Sequence, residues 1–347
     1  MKRASRGGRQ VAKAHAIPEA LVLAGGYGKR LKPLTDTVPK PLIEMKEGYC
    51  ILDKQLDGLR HAGVRSALLL TGHLHEKIER RYGGSWHGMT IRYSVEDRPL
   101  GTWGAVRKAL GDGPVVIMNG DIVTDVDVGS LMANGTFPVT VLGVPMRSPY
   151  GVLETSGTAV VGFKEKPVLP YYINGGIYYA KDARELLAAG RDLREGSIEQ
   201  DIFPRLAKAG KLGAYIETDP DVLWKSLDSA KDLEETRTMY ESRTDKPWGH
   251  EVVVALTEKY LQKKLYIKEG HRTSLHYHRE KMETLYVVKG KVRLDFEKGS
   301  KELAEGERET IPPGLVHSIV ALRNTQIDEA SSPHPDDTVR VKDFYER

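Results

Sequence analysis

The chain of 347 residues is 40% hydrophobic and 29% charged, and its formal net charge is +4 at pH 7. This composition is that of an ordinary globular protein, and so small a charge gives no case for nucleic-acid binding. No stretch approaches membrane-spanning length, and the single cysteine, Cys50, excludes an internal disulfide framework and favours a reducing cytoplasm.

At this length we expect two domains, preceded by a short N-terminal arm. Residues 1–18 are basic, have no acidic side chain before Glu19, and lack the apolar central run of a signal peptide. We expect this arm to be solvated and disordered rather than a phosphate-binding segment.

Strand-like and helix-like patterns alternate from residue 19 to residue 241. Strands are predicted in "EALVLAGG", "VRSALLLTG", "MTIRYSV" and "PVVIMNGD". Helices are predicted in "ILDKQLDGLRHAG", "HEKIERRYG", "WGAVRKALG" and "SIEQDIFPRLAKAG". This alternation is typical of an α/β fold with a largely parallel sheet.

The pattern changes after Tyr240, where the polar stretch "ESRTDKPWG" indicates a boundary, and we assign a second domain to residues 242–347. The segments beyond it are short, rich in β-forming residues and separated by glycines: "EVVVAL", "LQKKLYI", "ETLYVVKG", "KVRLDFEKG", "RETIPPG" and "HSIVAL". This pattern predicts a small antiparallel barrel or jelly roll.

The stretch "LAGGYGKRLKPLTDTVPKPL", from Leu23 to Leu42, follows the first predicted strand. Its three glycines allow backbone N–H groups to approach an anion closely, since no Cβ interferes. Arg30 and Lys40 add charge suited to a polyphosphate, and a proline on either side of Lys40 limits where its ammonium can reach. The spacing is neither that of Walker A nor Gly-x-Gly-x-x-Gly, and a glycine-rich turn alone is often only a turn.

Three features further along the chain favour a phosphate site. Gly101 and Thr102 precede a short helix, where backbone donors could meet a nucleotide. Asp121 stands at the carboxyl end of a buried strand, the edge at which open α/β sheets bind ligands, and a carboxylate there suits Mg²⁺. Lys166 in "FKEKP" is another cation placed before a proline.

These motifs, with "PLGTWGA", "NGD", "YGVLE" and "INGGIYY" in this order, resemble the sugar-1-phosphate nucleotidylyltransferases over about residues 19–240. The resemblance implies a Rossmann-like fold and the Mg²⁺-dependent reaction of an NTP with a sugar 1-phosphate to give an NDP-sugar and pyrophosphate. It implies catalytic roles for Arg30, Lys40, Asp121 and Lys166, with Asp121 binding Mg²⁺. It implies nucleotide binding by Leu23, Gly25, Gly26, Gly28, Gly101 and Thr102, with Glu96 a candidate for reading the base. The implied sugar-phosphate residues are Gly151, Glu165, Lys166 and Asn174.

One motif departs from the family pattern. Many members carry a second metal-binding Asp where this chain has Ser226, in "WKSLDSAKDL". Asp228, two positions later, matches a variant of the motif, and we predict it as the second Mg²⁺ ligand. The alternative is that Asp228 caps the following helix, and one side chain could do both.

A second group of polar residues predicts a metal site in the C-terminal domain. His276 and His278 are two residues apart and so face the same way on a strand, while Glu283 and His317 complete a set that suits Zn²⁺, Fe²⁺, Mn²⁺ or Ni²⁺. The spacing Gly-x5-His-x-His-x4-Glu-x6-Gly, then Gly-x5-Pro-x-Gly-x2-His, resembles both motifs of the cupin family. Only Ala321 departs from it, at a position where Asn is usual and which is not a ligand in the family.

The C-terminal domain further resembles the cupin of type II phosphomannose isomerases, which is fused behind mannose-1-phosphate guanylyltransferases in the same order. The resemblance implies isomerisation of a sugar phosphate such as mannose 6-phosphate, while epimerases and sugar-binding cupins use the same ligands. The different-class alternative is a sensor whose degenerate transferase domain binds a nucleotide and whose cupin binds sugar. The resemblance favours a homodimer; the base and the sugar are not readable from the sequence.

Overall fold

The computed structural model describes residues 18–345, so that nearly all of the predicted basic arm lies outside the described residues. By its contacts the chain divides into two units. The described part of the first consists of residues 18–28, Pro33–Pro41 and Gly58–Trp224, and that of the second of Lys29–Lys32, Leu42–Asp57 and residues 225–345. None of the described helices is long and apolar enough to cross a bilayer.

The helices are α1 (Ile51–His61), α2 (His75–Tyr82), α3 (Gly101–Ala109), α4 (Val128–Asn134), α5 (Ala183–Ala189), α6 (Phe203–Lys208) and α7 (Ala230–Glu241). Short 3-10 turns lie at Lys29–Leu31, Leu34–Asp36 and Lys40–Leu42, and a π-helical turn at Ile198–Ile202 leads into α6. The helix predicted in "SIEQDIFPRLAKAG" therefore begins as a wider turn, a local form that is frequent at functional sites.

The strands before α7 are β1 (Glu19–Leu23), β2 (Glu44–Lys46), β3 (Tyr49–Cys50), β4 (Ser66–Thr71), β5 (Ser85–Trp86), β6 (Met89–Val95), β7 (Val115–Asn119), β8 (Ile122–Thr124), β9 (Val139–Arg147), β10 (Val152–Ser156), β11 (Ala159–Lys164), β12 (Val168–Ala180), β13 (Leu212–Ile216) and β14 (Trp224–Ser226). Those after it are β15 (Arg243–Lys246), β16 (Gly249–Leu256), β17 (Leu261–Ile267), β18 (Leu275–His278), β19 (Glu283–Lys289), β20 (Lys291–Phe296), β21 (Ser300–Ala304), β22 (Arg308–Ile311), β23 (His317–Ala321), β24 (Thr325–Ser331) and β25 (Thr338–Lys342).

The first unit is built on a sheet of eight strands in the order β13-β9-β12-β7-β1-β4-β6-β5. β1 runs parallel to both of its neighbours, β4 and β7, whereas β12 is antiparallel to β7 and β9. The central strands are buried because apolar residues fill them, as in "VVIM" of β7. The predicted α/β fold with a mixed, mostly parallel sheet is confirmed.

One face of this sheet packs on the helices that follow its strands. Trp103 of α3 and Tyr178 of β12 are at most 1% exposed, and Leu186 of α5 and Ile202 are fully buried in the same cluster. The ring of Phe203 meets that of Tyr178 edge to face, with centroids 4.8 Å apart. This packing fixes the segment that follows β6 and the segment that precedes α6. Both segments carry candidate site residues.

The C-terminal part of the second unit consists of two antiparallel sheets, ordered β15-β16-β17-β24-β19-β22 and β21-β20-β23-β18-β25. Their core contains Trp248, Val287, Leu294 and Ile327, all under 7% exposed. The predicted all-β cupin is confirmed, with five strands that the sequence reasoning had not located: β15, β18, β21, β24 and β25.

Segments that are distant in the sequence join in the second unit around Asp245. Its carboxylate accepts hydrogen bonds from the hydroxyls of Tyr49 and Tyr240, at 3.3 and 3.2 Å, and pairs with Lys54 at 3.1 Å. Arg243 pairs with its other oxygen at 2.7 Å. The side chains of Lys54 and Asp245 are only 11% and 14% exposed, so their charges are stabilised mainly by contacts within the protein rather than by water.

Candidate active site and candidate metal centre

The carboxyl ends of β1, β4 and β7 bring three loops of the first unit together. Gly25 lies against the second of these loops, since a Cβ built on it would be 3.2 Å from the amide nitrogen of Gly72. Gly120 donates its N–H to the carbonyl of Leu23 at 3.0 Å, and a Cβ there would be 2.3 Å from that oxygen. Glycine is therefore required for the loops to meet at this edge of the sheet.

Gly28 ends the glycine-rich loop in the left-handed region, with φ of +60°. The Thr35 hydroxyl donates to its carbonyl at 3.0 Å, and a Cβ at Gly28 would be 2.7 Å from the Thr35 methyl group. Around Gly26, by contrast, the space that a Cβ would take has no atom within 4 Å. The loop is thus held at its end and open in its middle, where a ligand could approach the backbone.

Lys40 and Asp121 form an ion pair at the same edge, with Nζ 2.9 Å from Oδ2. The lysine side chain is 13% exposed and the carboxylate 30% exposed. Lys40 begins a 3-10 turn between its two prolines, which fixes the start of its side chain. A partly buried carboxylate that faces a lysine can exchange that cation for a metal ion while the lysine turns to an anion.

Glu96 follows β6, and its backbone N–H donates to the carbonyl of Thr71, at the end of β4, at 2.9 Å. Its Oε1 atom is buried and has no hydrogen-bond partner within residues 18–345. Burial raises the pKa of this carboxyl, while the Leu100 backbone and Lys108 lower it. Glu96 therefore has a buried acceptor atom that no described residue uses.

Thr102 and Asn174, the predicted nucleotide and sugar-phosphate residues, belong to one hydrogen-bonded group. The Thr102 hydroxyl donates to Glu199 Oε2 at 2.8 Å, and the Tyr178 hydroxyl donates to Glu199 Oε1 at 3.1 Å. The Asn174 amide donates to the Tyr178 oxygen at 2.9 Å. Gly101, before Thr102, has φ of +75°, and a Cβ on it would be 2.2 Å from the carbonyl oxygen of Gly196.

The remaining predicted sugar-phosphate residues lie beside the β10–β11 hairpin. A Cβ at Gly151 would be 3.0 Å from a carboxylate oxygen of Glu165, and Lys166 Nζ is 3.9 Å from that carboxylate. Both charged side chains are more than 60% exposed. Lys166 has φ of +44°, which is rare for a residue other than glycine and points to a functional constraint.

In the second unit, Arg30 pairs with Asp228, with 2.7 Å between the guanidinium and Oδ1. The Ser226 hydroxyl donates to the other oxygen of Asp228 at 2.8 Å. The helix-cap alternative for Asp228 is wrong, because Ser229 caps α7 through a capping box with Asp232. The Arg30 side chain in this pair is 74% exposed, so the ion pair itself contributes little to stability.

The four residues of the candidate metal centre lie together on β18, β19 and β23. His276 is the cross-strand partner of His317, and the ligand atoms of these two, His278 and Glu283 all lie within 4.8 Å of one another. His278, Glu283 and His317 are at most 3% exposed. Three imidazoles and a carboxylate at this spacing match the donor set of a divalent transition metal.

Hydrogen bonds to backbone carbonyls fix the orientation of the three rings. Nδ1 of His276 lies 2.8 Å from the carbonyl of Ser274, and Nδ1 of His278 and His317 lie 3.0 Å from the carbonyls of Asp337 and Leu315. Donation from Nδ1 leaves the Nε2 lone pair to the centre. Nε2 of His278 and His317 is buried and lacks a well-aligned hydrogen bond in the described chain, although Glu283 oxygens lie 3.5 and 2.9 Å away. These unused atoms fit a metal ion.

The charge around the centre keeps its ligands in the form that binds metal. Burial, and after it the neighbouring His317, lowers the pKa of His276 to about 4, so its ring is neutral at pH 7. Burial by itself would raise the pKa of Glu283, but the two rings that face it and the charge of Lys281 lower it well below its ordinary value.

Lys281 is not one of the candidate metal ligands, but its ammonium contacts the carboxylate of Glu283, which is one of them. Its ammonium lies 2.6 Å from Glu283 Oε2 and 2.9 Å from Glu329 Oε1, and all three side chains are at most 6% exposed. Burial would lower the pKa of Lys281, but Glu329 and Glu283 raise it, so the ammonium stays charged.

Sequence reasoning missed four residues of these sites. Tyr178 and Glu199 lie in stretches that it used only as motifs or as a helix start, and Lys281 lies between two predicted ligands, a position that could have drawn attention. Glu329 gave no local signal, because only the pairing of β24 with β19 brings it to Lys281.

Comparisons with known proteins identify a family for each part of the chain. The nucleotidyl transferase family profile matches residues 19–243, and the profile described as mannose-6-phosphate isomerase C-terminal matches residues 232–343. A mannose-1-phosphate guanyltransferase of Yarrowia lipolytica is 33% identical over 264 residues, which are 70% of this chain and 69% of that protein. The mannose-1-phosphate guanylyltransferase catalytic subunit beta of Danio rerio is 35% identical over 243 residues, 64% of each protein. The crystal structure of HddC from Yersinia pseudotuberculosis has the same fold over 65% of this chain and 100% of its own, with a TM-score of 0.51 and 21% identity.

Proposed function

Because the chain belongs to the nucleotidyl transferase family, we propose that it transfers a guanylyl group from GTP to mannose 1-phosphate, giving GDP-mannose and pyrophosphate. The observation that carries this proposal is the Lys40–Asp121 pair beside the glycine-rich loop, at the edge where α/β sheets bind ligands. The names of the two relatives reported above support the choice of base and sugar.

In the proposed reaction, an oxygen of the sugar phosphate attacks the α-phosphorus of GTP and pyrophosphate leaves on the opposite side. Asp121 would hold Mg²⁺, which neutralises the charge that develops on the phosphate oxygens. Lys40 turns from the carboxylate to the phosphates, and Arg30 stabilises the leaving pyrophosphate. Lys166 and Glu165 bind the sugar phosphate.

Glu96 supports guanine as the base. Guanine presents two adjacent donors, its ring N–H and its exocyclic amine, and a carboxylate can accept from both. The buried, unused Oε1 of Glu96 provides one of these acceptors. An E96Q variant should lose preference for GTP over ATP, since an amide offers one acceptor and one donor group.

The test is pyrophosphate release by the whole protein with GTP, CTP, UTP and dTTP, each with mannose, glucose and other sugar 1-phosphates. We expect GTP with mannose 1-phosphate to give the fastest turnover. Faster turnover with another pair would replace the base or the sugar in the proposal. Tight nucleotide binding without turnover of any pair would favour the sensor alternative.

Asp228 is proposed as the second Mg²⁺ ligand. A D228N variant should require more Mg²⁺ for half-maximal turnover, because an amide binds the ion more weakly than a carboxylate. E235Q is the control, since Glu235 pairs with Lys225 on the surface of the same unit. Unchanged Mg²⁺ dependence in D228N would remove Asp228 from the site.

The buried metal centre favours a second activity, and we propose that the cupin isomerises mannose 6-phosphate to fructose 6-phosphate. A metal there would polarise the sugar carbonyl while a proton moves between adjacent carbons. The test is elemental analysis together with the isomerase assay, in the wild type and in H317A. Metal-free wild-type protein would contradict a catalytic cupin, and bound metal with sugar binding but no isomerisation would favour a binding module or an epimerase.

Three further proposals come from the sequence. We propose domain limits at residues 19–241 and 242–347, a cytoplasmic location, and a homodimer. Light scattering of the purified protein tests the last of these, and a monomer at working concentration would exclude it.

A further inference from the structure

Glu199 connects two segments that the proposed function assigns to different substrates. One carboxylate oxygen accepts from Thr102, at the start of α3, and the other accepts from Tyr178, on β12. We infer that Glu199 is a positioning residue that couples the nucleotide-binding and sugar-phosphate-binding segments. This inference rests on the proposed function.

The nucleotide side of the connection is fixed by backbone and side-chain bonds. Gly196 donates its N–H to the carbonyl of Leu100, and Trp103 donates to the carbonyl of Gly196, at 3.0 and 2.9 Å. The Thr102 oxygen accepts from the N–H of Ile198 at 2.9 Å, so its own proton is directed to Glu199. The position of the turn at Gly101 and Thr102 therefore depends on the position of the segment that follows Gly196.

The sugar side of the connection passes through a buried phenol. Tyr178 is 1% exposed, and its oxygen accepts from the amide of Asn174 at 2.9 Å and from that of Asn119 at 3.5 Å. Burial, and after it the charge of Glu199, raises the pKa of Tyr178, so the hydroxyl keeps its proton and donates it to Glu199. Asn119 lies two residues before Asp121, so the same phenol also reaches the segment of the proposed Mg²⁺ ligand.

A carboxylate suits this position because every neighbour donates to it. Ser197 adds a third donor, with its hydroxyl 2.8 Å from Glu199 Oε2. A glutamine would keep one acceptor oxygen. Its amide NH2 group would face a hydroxyl whose oxygen already accepts a hydrogen bond, and it could not accept the proton of that hydroxyl. E199Q therefore preserves shape and volume while it breaks one arm of the connection.

The test compares E199Q, Y178F and T102V with wild type in steady-state kinetics in which GTP and mannose 1-phosphate are varied separately. T102V should raise the KM for GTP, and Y178F should raise the KM for mannose 1-phosphate. E199Q should raise both and lower kcat/KM by about 10²-fold, the effect of misplacing bound groups by about 1 Å. E185Q is the matched control, because Glu185 pairs with Lys211 nearer the surface of the same unit, and it should retain wild-type kinetics.

A purely structural role would lower the thermal midpoint of E199Q and leave both KM values unchanged. Equal kinetics of E199Q and E185Q, or a Y178F effect on the KM for GTP alone, would overturn the inference while the proposed function stands. If E199Q does not fold, the T102V/Y178F double variant decides, since coupled segments give a combined loss that differs from the product of the two single losses. Failure of the wild type to turn over any nucleotide and sugar pair would refute the proposed function and, with it, this inference.

Discussion

The buried His276 makes the stability of the metal-free C-terminal barrel depend on pH. Its pKa is about 4 in the folded chain and 6.5 as an ordinary side chain, so between these values only the unfolded chain binds the proton. Stability therefore rises with pH through this window, and it is lost as the pH falls from 6.5 towards 4. Above pH 6.5 the contribution is complete.

The change in unfolding free energy follows from the difference between the two pKa values of His276. A shift of about 2.5 pH units corresponds to about 3 kcal/mol, and roughly 2 kcal/mol of this is already lost at pH 5. We therefore compare unfolding at pH 8 and at pH 5, with EDTA present to keep the protein free of metal. H276Q lacks the titrating ring, so the difference in unfolding free energy between wild type and H276Q isolates it.

The assay is pulse proteolysis in urea, with cleavage in the barrel identified by mass spectrometry. We expect the free-energy difference between wild type and H276Q to fall by about 2 kcal/mol from pH 8 to pH 5. H334Q is the control for removing an imidazole outside the centre, because the His334 side chain is 38% exposed. A wild-type to H276Q difference that does not change with pH would show that the buried neutral ring of His276 makes no such contribution to stability.

Three other predictions concern single contacts. K281M leaves two buried carboxylates without their cation and should cost about 3–5 kcal/mol in unfolding free energy, measured in urea, whereas K281M/E329Q should cost less. Equal losses in the two variants would contradict the ion-pair explanation. G101A should raise the KM for GTP and cost about 1–3 kcal/mol, because its Cβ would meet the Gly196 carbonyl; an unchanged thermal midpoint would contradict this. D121N should lower kcat about 10²–10³-fold at saturating Mg²⁺, and near-normal turnover would exclude this carboxylate from the reaction.

Much of the fold could be predicted because periodicity is a local signal. The run "VVIM" and the alternation of strands with helices predict a buried, largely parallel sheet, and the structure confirms it. Strands such as β21, with the sequence SKELA, were missed because they are short and mostly polar. β25 lies in the charged tail and is a strand only because it pairs with β18.

The candidate sites were predictable where a motif lies in one stretch of sequence. The glycine-rich loop and the pair His276–His278 are of this kind, and their assigned roles stay predictions. Glu199 and Glu329 could not be found in this way, since their partners are 97 and 48 positions away. Only the tertiary structure shows which carboxylate a buried hydroxyl or ammonium contacts.

The contacts around Asp245 have a consequence for where the chain could be divided into separate fragments. The N-terminal family profile extends to residue 243 and the C-terminal one begins at residue 232, so both matches include residues 232–243. A chain that stopped at residue 241 would keep Tyr49 and Lys54 but lose Asp245, whose carboxylate accepts from the phenol and pairs with the ammonium. The segment Leu42–Asp57, which lies some two hundred residues earlier, therefore has to accompany the barrel in any fragment meant to fold as the second unit does.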